Sequence, residues 1–256
     1  MSARPVSETR SYKIITPVGE VWLYGRPELR ETRRPAVVIF HGSFGAPAQF
    51  ADWFARLEPH VQVVLASLPR HAGAPPLSAP GVSGYVEGFA AALDALLPHR
   101  TVLCAGVSVG ALVTLGLAGR GLPAVAFDPF LTTAKLWPIG ATLRRMAARG
   151  DPIDADFVAE VFGFRDGQVT DRDYRGWLDA LAAPVVVAAG SVPLWPPRDL
   201  LDPPSLLDDD DRARLLAHPR VRLVTFEGHG HALVEASPDR CCDLILETVA
   251  ALPASL

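Results

Sequence analysis

Short unbroken apolar runs recur along this chain at intervals long enough to hold a helix, and that rhythm leaves few architectures open. Pro35-Ala36-Val37-Val38-Ile39-Phe40 is apolar at every position, which predicts a strand covered on both faces, as in a parallel sheet. Val61–Leu68, Thr101–Ala105, Ala124–Phe127, Pro184–Ala189 and Val221–Phe226 read as further strands. Between them, apolar residues recur every three or four positions. Phe50, Trp53, Phe54 and Leu57 do so within a helical stretch from Pro47 to Leu57, and helices are also predicted at Val82–Leu97, Val109–Ala118 and Pro238–Leu252. Tyr12–Ile15 and Glu20–Tyr24 pair around the turn at Pro17-Val18-Gly19. Strands separated by crossover helices imply an α/β fold with a mostly parallel central sheet flanked by helices.

The rhythm breaks after Asp128. More than fifty residues follow without a convincing strand, too many for a structureless loop, so a compact helical insertion is expected over residues 131–182. Its helices are placed around Ile139–Ala148, Asp156–Phe162 and Asp171–Leu181. Residues 1–130 and 183–256 then form the α/β core. A 256-residue chain with 49% hydrophobic and 20% charged residues has ample material for one such core. The net charge of −4 and the absence of any long Lys or Arg run give nucleic acid no electrostatic handle. Val102–Gly119 is eighteen residues without a charge, close to the length of a membrane span. Its four glycines with Ser108 and Thr114 fit strand, turn and helix better, and no membrane partner is expected. Met1–Lys13 lacks the apolar centre of a secretory signal. Three cysteines without metal-ligand spacing, two of them adjacent, point to a reducing, cytoplasmic setting and to no metal.

Chemistry is concentrated in three loops. Gly106-Val107-Ser108-Val109-Gly110 is a G-x-S-x-G sequence directly after one predicted strand and directly before a helix. In that context the serine is forced into a tight turn, with its hydroxyl beside a helix N-terminus that favours developing negative charge. A Gly-rich turn with an incidental serine is the bland alternative. His41-Gly42-Ser43 follows the third strand, and Gly228-His229-Gly230-His231 lies between the last strand and the last helix.

With these three landmarks the chain resembles the α/β-hydrolases, from about Pro35 to the C-terminal helix. The resemblance implies a nucleophilic serine, an acid and a histidine in that chain order. Residue by residue it assigns the nucleophile to Ser108 and the general base to His231, with His229 as competitor. The backbone amides of Ser43 and Val109 become the oxyanion donors, and His41 and His71 are structural. Many relatives carry the acid shortly after the strand at Pro184–Ala189, but Pro193 occupies that position here. Asp128, after the preceding strand, keeps the chain order, with Asp199, Asp202 or an incomplete triad as alternatives. The acidic run Asp208–Asp211 is expected to cap a helix rather than to react.

The insertion matches the family's lid after the sixth strand. Leu131, Leu136, Trp137, Met146, Phe157, Phe162 and Phe164 either line a pocket or pack the lid onto the body, and Arg144, Arg145 and Arg149 form a charged face. The expected activity is a serine hydrolase that cleaves an ester-like bond of a small or medium acyl compound through an acyl-enzyme, without cofactor. A non-catalytic ligand- or partner-binding module on the same scaffold is the alternative, motivated by Pro193.

Overall fold

A computed structural model describes residues 9–165, 168–197 and 203–253. In chain order the elements are β1 (Arg10–Thr16), β2 (Gly19–Gly25), β3 (Ala36–Phe40), α1 (Ala51–Leu57), β4 (Gln62–Ser67), α2 (Gly81–Leu96), β5 (Val102–Val107), α3 (Val109–Ala118) and β6 (Ala124–Phe127). The insertion follows as α4 (Trp137–Arg149), α5 (Ala155–Phe162), β7 (Phe164–Arg165), β8 (Gln168–Val169) and α6 (Gly176–Asp179). The chain then returns through β9 (Val185–Gly190), α7 (Asp209–Ala217), β10 (Val221–Phe226), α8 (Leu233–Ala236) and α9 (Pro238–Ala250).

Eight strands form one sheet in the order β1-β2-β4-β3-β5-β6-β9-β10. β1 pairs with β2 and β2 with β4 in antiparallel fashion, and every other neighbour is parallel. The unbroken apolarity of β3 now has its reason: Ala36, Val38 and Phe40 enter one core while Val37 and Ile39 enter the other. Helices α2 and α3 cover the first face, through residues such as Phe89 and Leu112. Helices α1 and α9 cover the second, through Trp53, Phe54, Cys241 and Ile245. All three cysteines are free thiols buried in these cores. The uncharged stretch 102–119 is divided between β5, the turn at Ser108 and α3. No helix among the described residues is long and apolar enough to cross a membrane.

The insertion differs in detail from the helical expectation. Gly163 ends α5 at φ 77°, and the chain then makes the short antiparallel β7–β8 pair. A side chain at Gly163 would collide with the Thr170 carbonyl at 1.7 Å, so the glycine lets that pair close. Strands of two residues are too short to leave a period-two pattern in sequence. The helix expected at Asp171–Leu181 shrinks to the single turn of α6. Its first residues are pulled into extended pairing by Thr133 N→Arg172 O (2.9 Å) and Arg172 N→Thr133 Oγ1 (2.7 Å). Phe130, Leu131, Phe157, Phe162, Tyr174 and Leu178 bury themselves in the core on the α2–α3 side, so the insertion is anchored to the body by a broad apolar base.

Candidate active site

Ser108 stands where β5, in the middle of the sheet, turns into α3. Its backbone lies at φ 56° and ψ −114°, a region that a residue with a side chain occupies only at a cost of about 1–3 kcal/mol. The surroundings hold it there through Ser108 N→Phe127 O (3.0 Å) and Leu112 N→Ser108 O (3.2 Å). The flanking glycines are a steric requirement of the same turn. A Cβ at Gly106 would sit 2.2 Å from the Gly110 carbonyl oxygen, and one at Gly110 would sit 2.4 Å from that of Phe40. The G-x-S-x-G spacing thus records how closely strand, turn and helix approach one another.

The histidine loop follows β10. Gly190, at the end of β9, leaves room for it: a Cβ there would lie 2.2 Å from the His229 carbonyl oxygen. Pro203 crosses over the loop and accepts a bond from His231 N (2.9 Å). The two histidines part company here. Both ring nitrogens of His229 are engaged locally, Nδ1 with Glu227 O (2.7 Å) and Nε2 with Ser237 Oγ (2.8 Å). His231 instead directs Nδ1 at Asp128 Oδ2, 2.7 Å away. In the neutral ring that bond places the proton on Nδ1 and leaves Nε2 as the basic nitrogen. Ser108 and His231 border the same cavity. The Ser108 hydroxyl has no hydrogen-bond partner among the described residues.

Asp128 occupies the end of β6 at φ 45° and is fully buried. Its backbone N–H reaches Ala188 O (2.7 Å), which fixes it between β6 and β9. Its carboxylate accepts bonds from Ser205 Oγ (2.5 Å) and from Leu206 N (2.9 Å) as well as from His231. The loop after β9, where many relatives carry the acid, serves the histidine loop instead. Ser191 Oγ accepts Gly228 N (2.8 Å), Val192 N reaches His229 O (2.9 Å), and Pro193 is exposed. Asp199 and Asp202 lie outside the described residues.

The loop after β3 is braced by two buried imidazoles. His41 Nε2 accepts Leu68 N (3.0 Å) while Nδ1 faces Gly42 O (2.8 Å). His71 Nε2 accepts Phe44 N (3.2 Å) while Nδ1 faces Pro69 O (2.9 Å). Burial pushes His41 down to about 4 and also lowers His71. Both therefore stay neutral near pH 7, the form that can donate at one nitrogen and accept at the other. With Phe44 N committed to His71, the backbone N–H groups of Ser43 and of Val109, at the first residue of α3, are without a partner among the described residues.

The cavity above Ser108 measures about 680 Å³, within the size range of small-molecule sites. Phe44, Phe50, Trp53, Val107 and Val234 give it apolar walls from the body. From the insertion, Leu136 and Phe162 reach the cavity, as do Pro138, Ile139, Thr142, Arg145 and Arg149 along one face of α4. Arg144 points elsewhere, as do the other apolar side chains that sequence reasoning offered as possible lining. Trp137 ties the insertion to the core through Nε1–H to Leu194 O (2.9 Å). Among the described residues no group of three or more His, Cys, Asp or Glu could hold a metal ion. Sequence reasoning did not single out Ser205, Leu206 or Arg212 around Asp128; they lie in a proline-flanked stretch that carries no motif.

Comparison with known proteins agrees with this architecture. The alpha/beta hydrolase family model matches residues 37–244. No curated protein matches the sequence. Among solved structures, E-2-(acetamidomethylene)succinate hydrolase superposes with a TM-score of 0.69 at 17% identity, over 95% of this chain and 100% of that one. A carboxylesterase from Bacillus subtilis gives 0.67 at 16% identity, over 96% and 93%. A proline iminopeptidase from Mycobacterium smegmatis gives 0.64 at 19% identity, over 94% and 98%. At such identities the likeness speaks for the fold alone.

Proposed function

The chain belongs to the alpha/beta hydrolase family, and on that premise we propose that it is a serine hydrolase cleaving an ester-like bond of a small or medium acyl substrate. One observation carries the reading. A fully buried carboxylate at the end of β6 orients an imidazole from the far end of the chain, 2.7 Å away, at a cavity that the strained Ser108 also lines.

In this account the substrate carbonyl enters the cavity and Ser108 Oγ attacks it while His231 Nε2 takes the hydroxyl proton. The proton on Nδ1 stays with the imidazole, and Asp128 stabilises the positive charge that the ring acquires. The developing oxyanion is received by the two unpartnered N–H groups of Ser43 and Val109, each donor being worth about 3 kcal/mol in comparable sites. His231 returns its proton to the leaving group, and water then releases the acyl group by the same route in reverse. The insertion acts as the lid, with α4 forming the outer wall of the acyl pocket. The apolar walls favour an acyl or leaving group of modest size with little charge near the reacting carbon.

The motive for a non-catalytic binding module was the empty acid position at Pro193. The 2.7 Å bond between His231 Nδ1 and Asp128 supports the catalytic reading over that alternative. Labelling with a fluorophosphonate probe tests the reading. The native protein is expected to react promptly at Ser108, and Ser108→Ala and His231→Ala to lose the label while remaining folded. Native protein that stays unlabelled would overturn the proposal.

A further inference from the structure

We infer that Ser205 and Arg212 are positioning residues for this reaction, holding the Asp128 carboxylate in the orientation that meets His231. The inference rests on the catalytic reading above and adds how an acid at the end of β6 is kept in register with a histidine loop seated over the end of β9.

The directions of the hydrogen bonds follow from the donor inventory. Arg212 Nη2 donates to Ser205 Oγ (2.9 Å), and Leu207 N approaches the same oxygen (3.3 Å). A hydroxyl that receives two donors has one hydrogen left to give, and the remaining acceptor is Asp128 Oδ1 at 2.5 Å. Leu206 N, the next residue, holds Oδ2 at 2.9 Å. With Oδ1 and Oδ2 each fixed from the side of Ser205, Oδ2 has its free lone pair turned toward His231 Nδ1. Asp128 and Ser205 are both fully buried, so water does not substitute for these donors.

Arg212 also links the two strands concerned. The same Nη2 donates to Gly190 O at the end of β9 (2.5 Å), the residue against which the histidine loop packs. Ser205 N reaches Val192 O (3.0 Å), and Val192 N reaches His229 O (2.9 Å). One side chain, anchored on α7, therefore registers the acid, the vacated strand end and the histidine loop against one another. Its positive charge stands one hydroxyl away from the carboxylate, where a neutral residue of similar length would supply shape without charge.

The test uses the full chain and a chromogenic ester, with Asp128→Asn as reference. Ser205→Ala and Arg212→Gln are expected to lower kcat by about 10-fold with KM unchanged, and Arg212→Lys to restore most of it. A second readout is the low-field proton resonance of the His231 Nδ1–Asp128 bond. It should be present in the native protein, displaced in Ser205→Ala and Arg212→Gln, and absent in Asp128→Asn. If Asp128→Asn is inactive but Ser205→Ala and Arg212→Gln keep native kcat and a native resonance, the positioning role falls and the catalytic reading stands. If Asp128→Asn retains native activity, the role of Asp128 in the catalytic reading falls and the positioning role falls with it. A Ser205→Ala or Arg212→Gln variant that changes KM rather than kcat would also overturn the inference.

Discussion

Asp211 offers a quantitative test, because replacing it should make the protein more stable, and increasingly so as pH rises from about 4 to 7. It sits in the first turn of α7, the helix that carries Arg212. Asp208 caps that helix by accepting Asp211 N (2.9 Å) and pairs with Lys135 (2.5 Å). Asp211 is itself buried, and burial, followed by repulsion from Asp208, pushes its carboxyl up to about 6, against 3.8 in an unstructured chain. The folded state therefore binds the proton over a range where the unfolded state has lost it. The contribution is fully present below 3.8 and is lost as pH rises through 6. At about 1.4 kcal/mol per pH unit that gap corresponds to about 3 kcal/mol at pH 7.5. Asparagine keeps the shape and never ionises. Asp211→Asn should exceed the native protein in unfolding free energy by about 3 kcal/mol at pH 7.5, shrinking to about 1 kcal/mol at pH 4.5. Urea unfolding of both proteins at half-unit pH steps measures this difference, and titrations elsewhere cancel because both chains share them. A variant no more stable than native at pH 7.5, or an advantage independent of pH, would refute the reasoning.

Gly110→Ala should destabilise the protein by about 3 kcal/mol or more and abolish probe labelling, because the new methyl would meet the Phe40 and His41 carbonyl oxygens at 2.4 and 2.6 Å. Gly176→Ala, which faces open space, should change neither property in thermal melts and labelling assays. Asp128→Asn should lower kcat/KM by about 10⁴-fold with a chromogenic ester, whereas His229→Ala, whose ring is engaged with Glu227 and Ser237, should stay within a few-fold of native. His41 should remain neutral down to about pH 4 in an NMR titration of its ring. Since its folded value lies below the 6.5 of a free imidazole, its contribution to stability is complete above 6.5 and declines as pH falls toward 4. A ring that protonates near 6.5 would contradict its role as the buried acceptor of Leu68 N.

The parts legible in the sequence are those whose physics is local. A strand buried on both faces is apolar along its length, so β3, β5, β6 and β9 declare themselves, and β4 does so through Val63–Ala66 between a buried Gln62 and Ser67. The steric demands around Ser108 leave only glycine at positions 106 and 110, and that leaves a readable motif. The Asp208–Asp211 run reads as a helix cap, and the Asp208 bond to Asp211 N agrees with that. Partnership between distant segments leaves no such trace. Ser205 meets Asp128 across 77 residues of chain, and nothing around Pro203-Pro204-Ser205 distinguishes it from an ordinary loop serine. The resemblance assigns the base to His231 over His229 from the G-x-G-H pattern, while the structure separates the two by what their ring nitrogens touch. Arg144 and Arg145 are neighbours in sequence, yet only Arg145 reaches the cavity, because one position around a helix turns a side chain by about 100°. The β7–β8 pair was invisible because two-residue strands have no period.

The central claim is that Ser108 forms a covalent acyl intermediate under the direction of His231 and Asp128. Rapid mixing with p-nitrophenyl acetate, followed by acid quench and peptide mass spectrometry, tests it directly. The account predicts a burst of p-nitrophenol equal to the enzyme present and an acetyl group on the peptide carrying Ser108. Turnover without a burst and without any acyl adduct, or an adduct on another side chain, would contradict it.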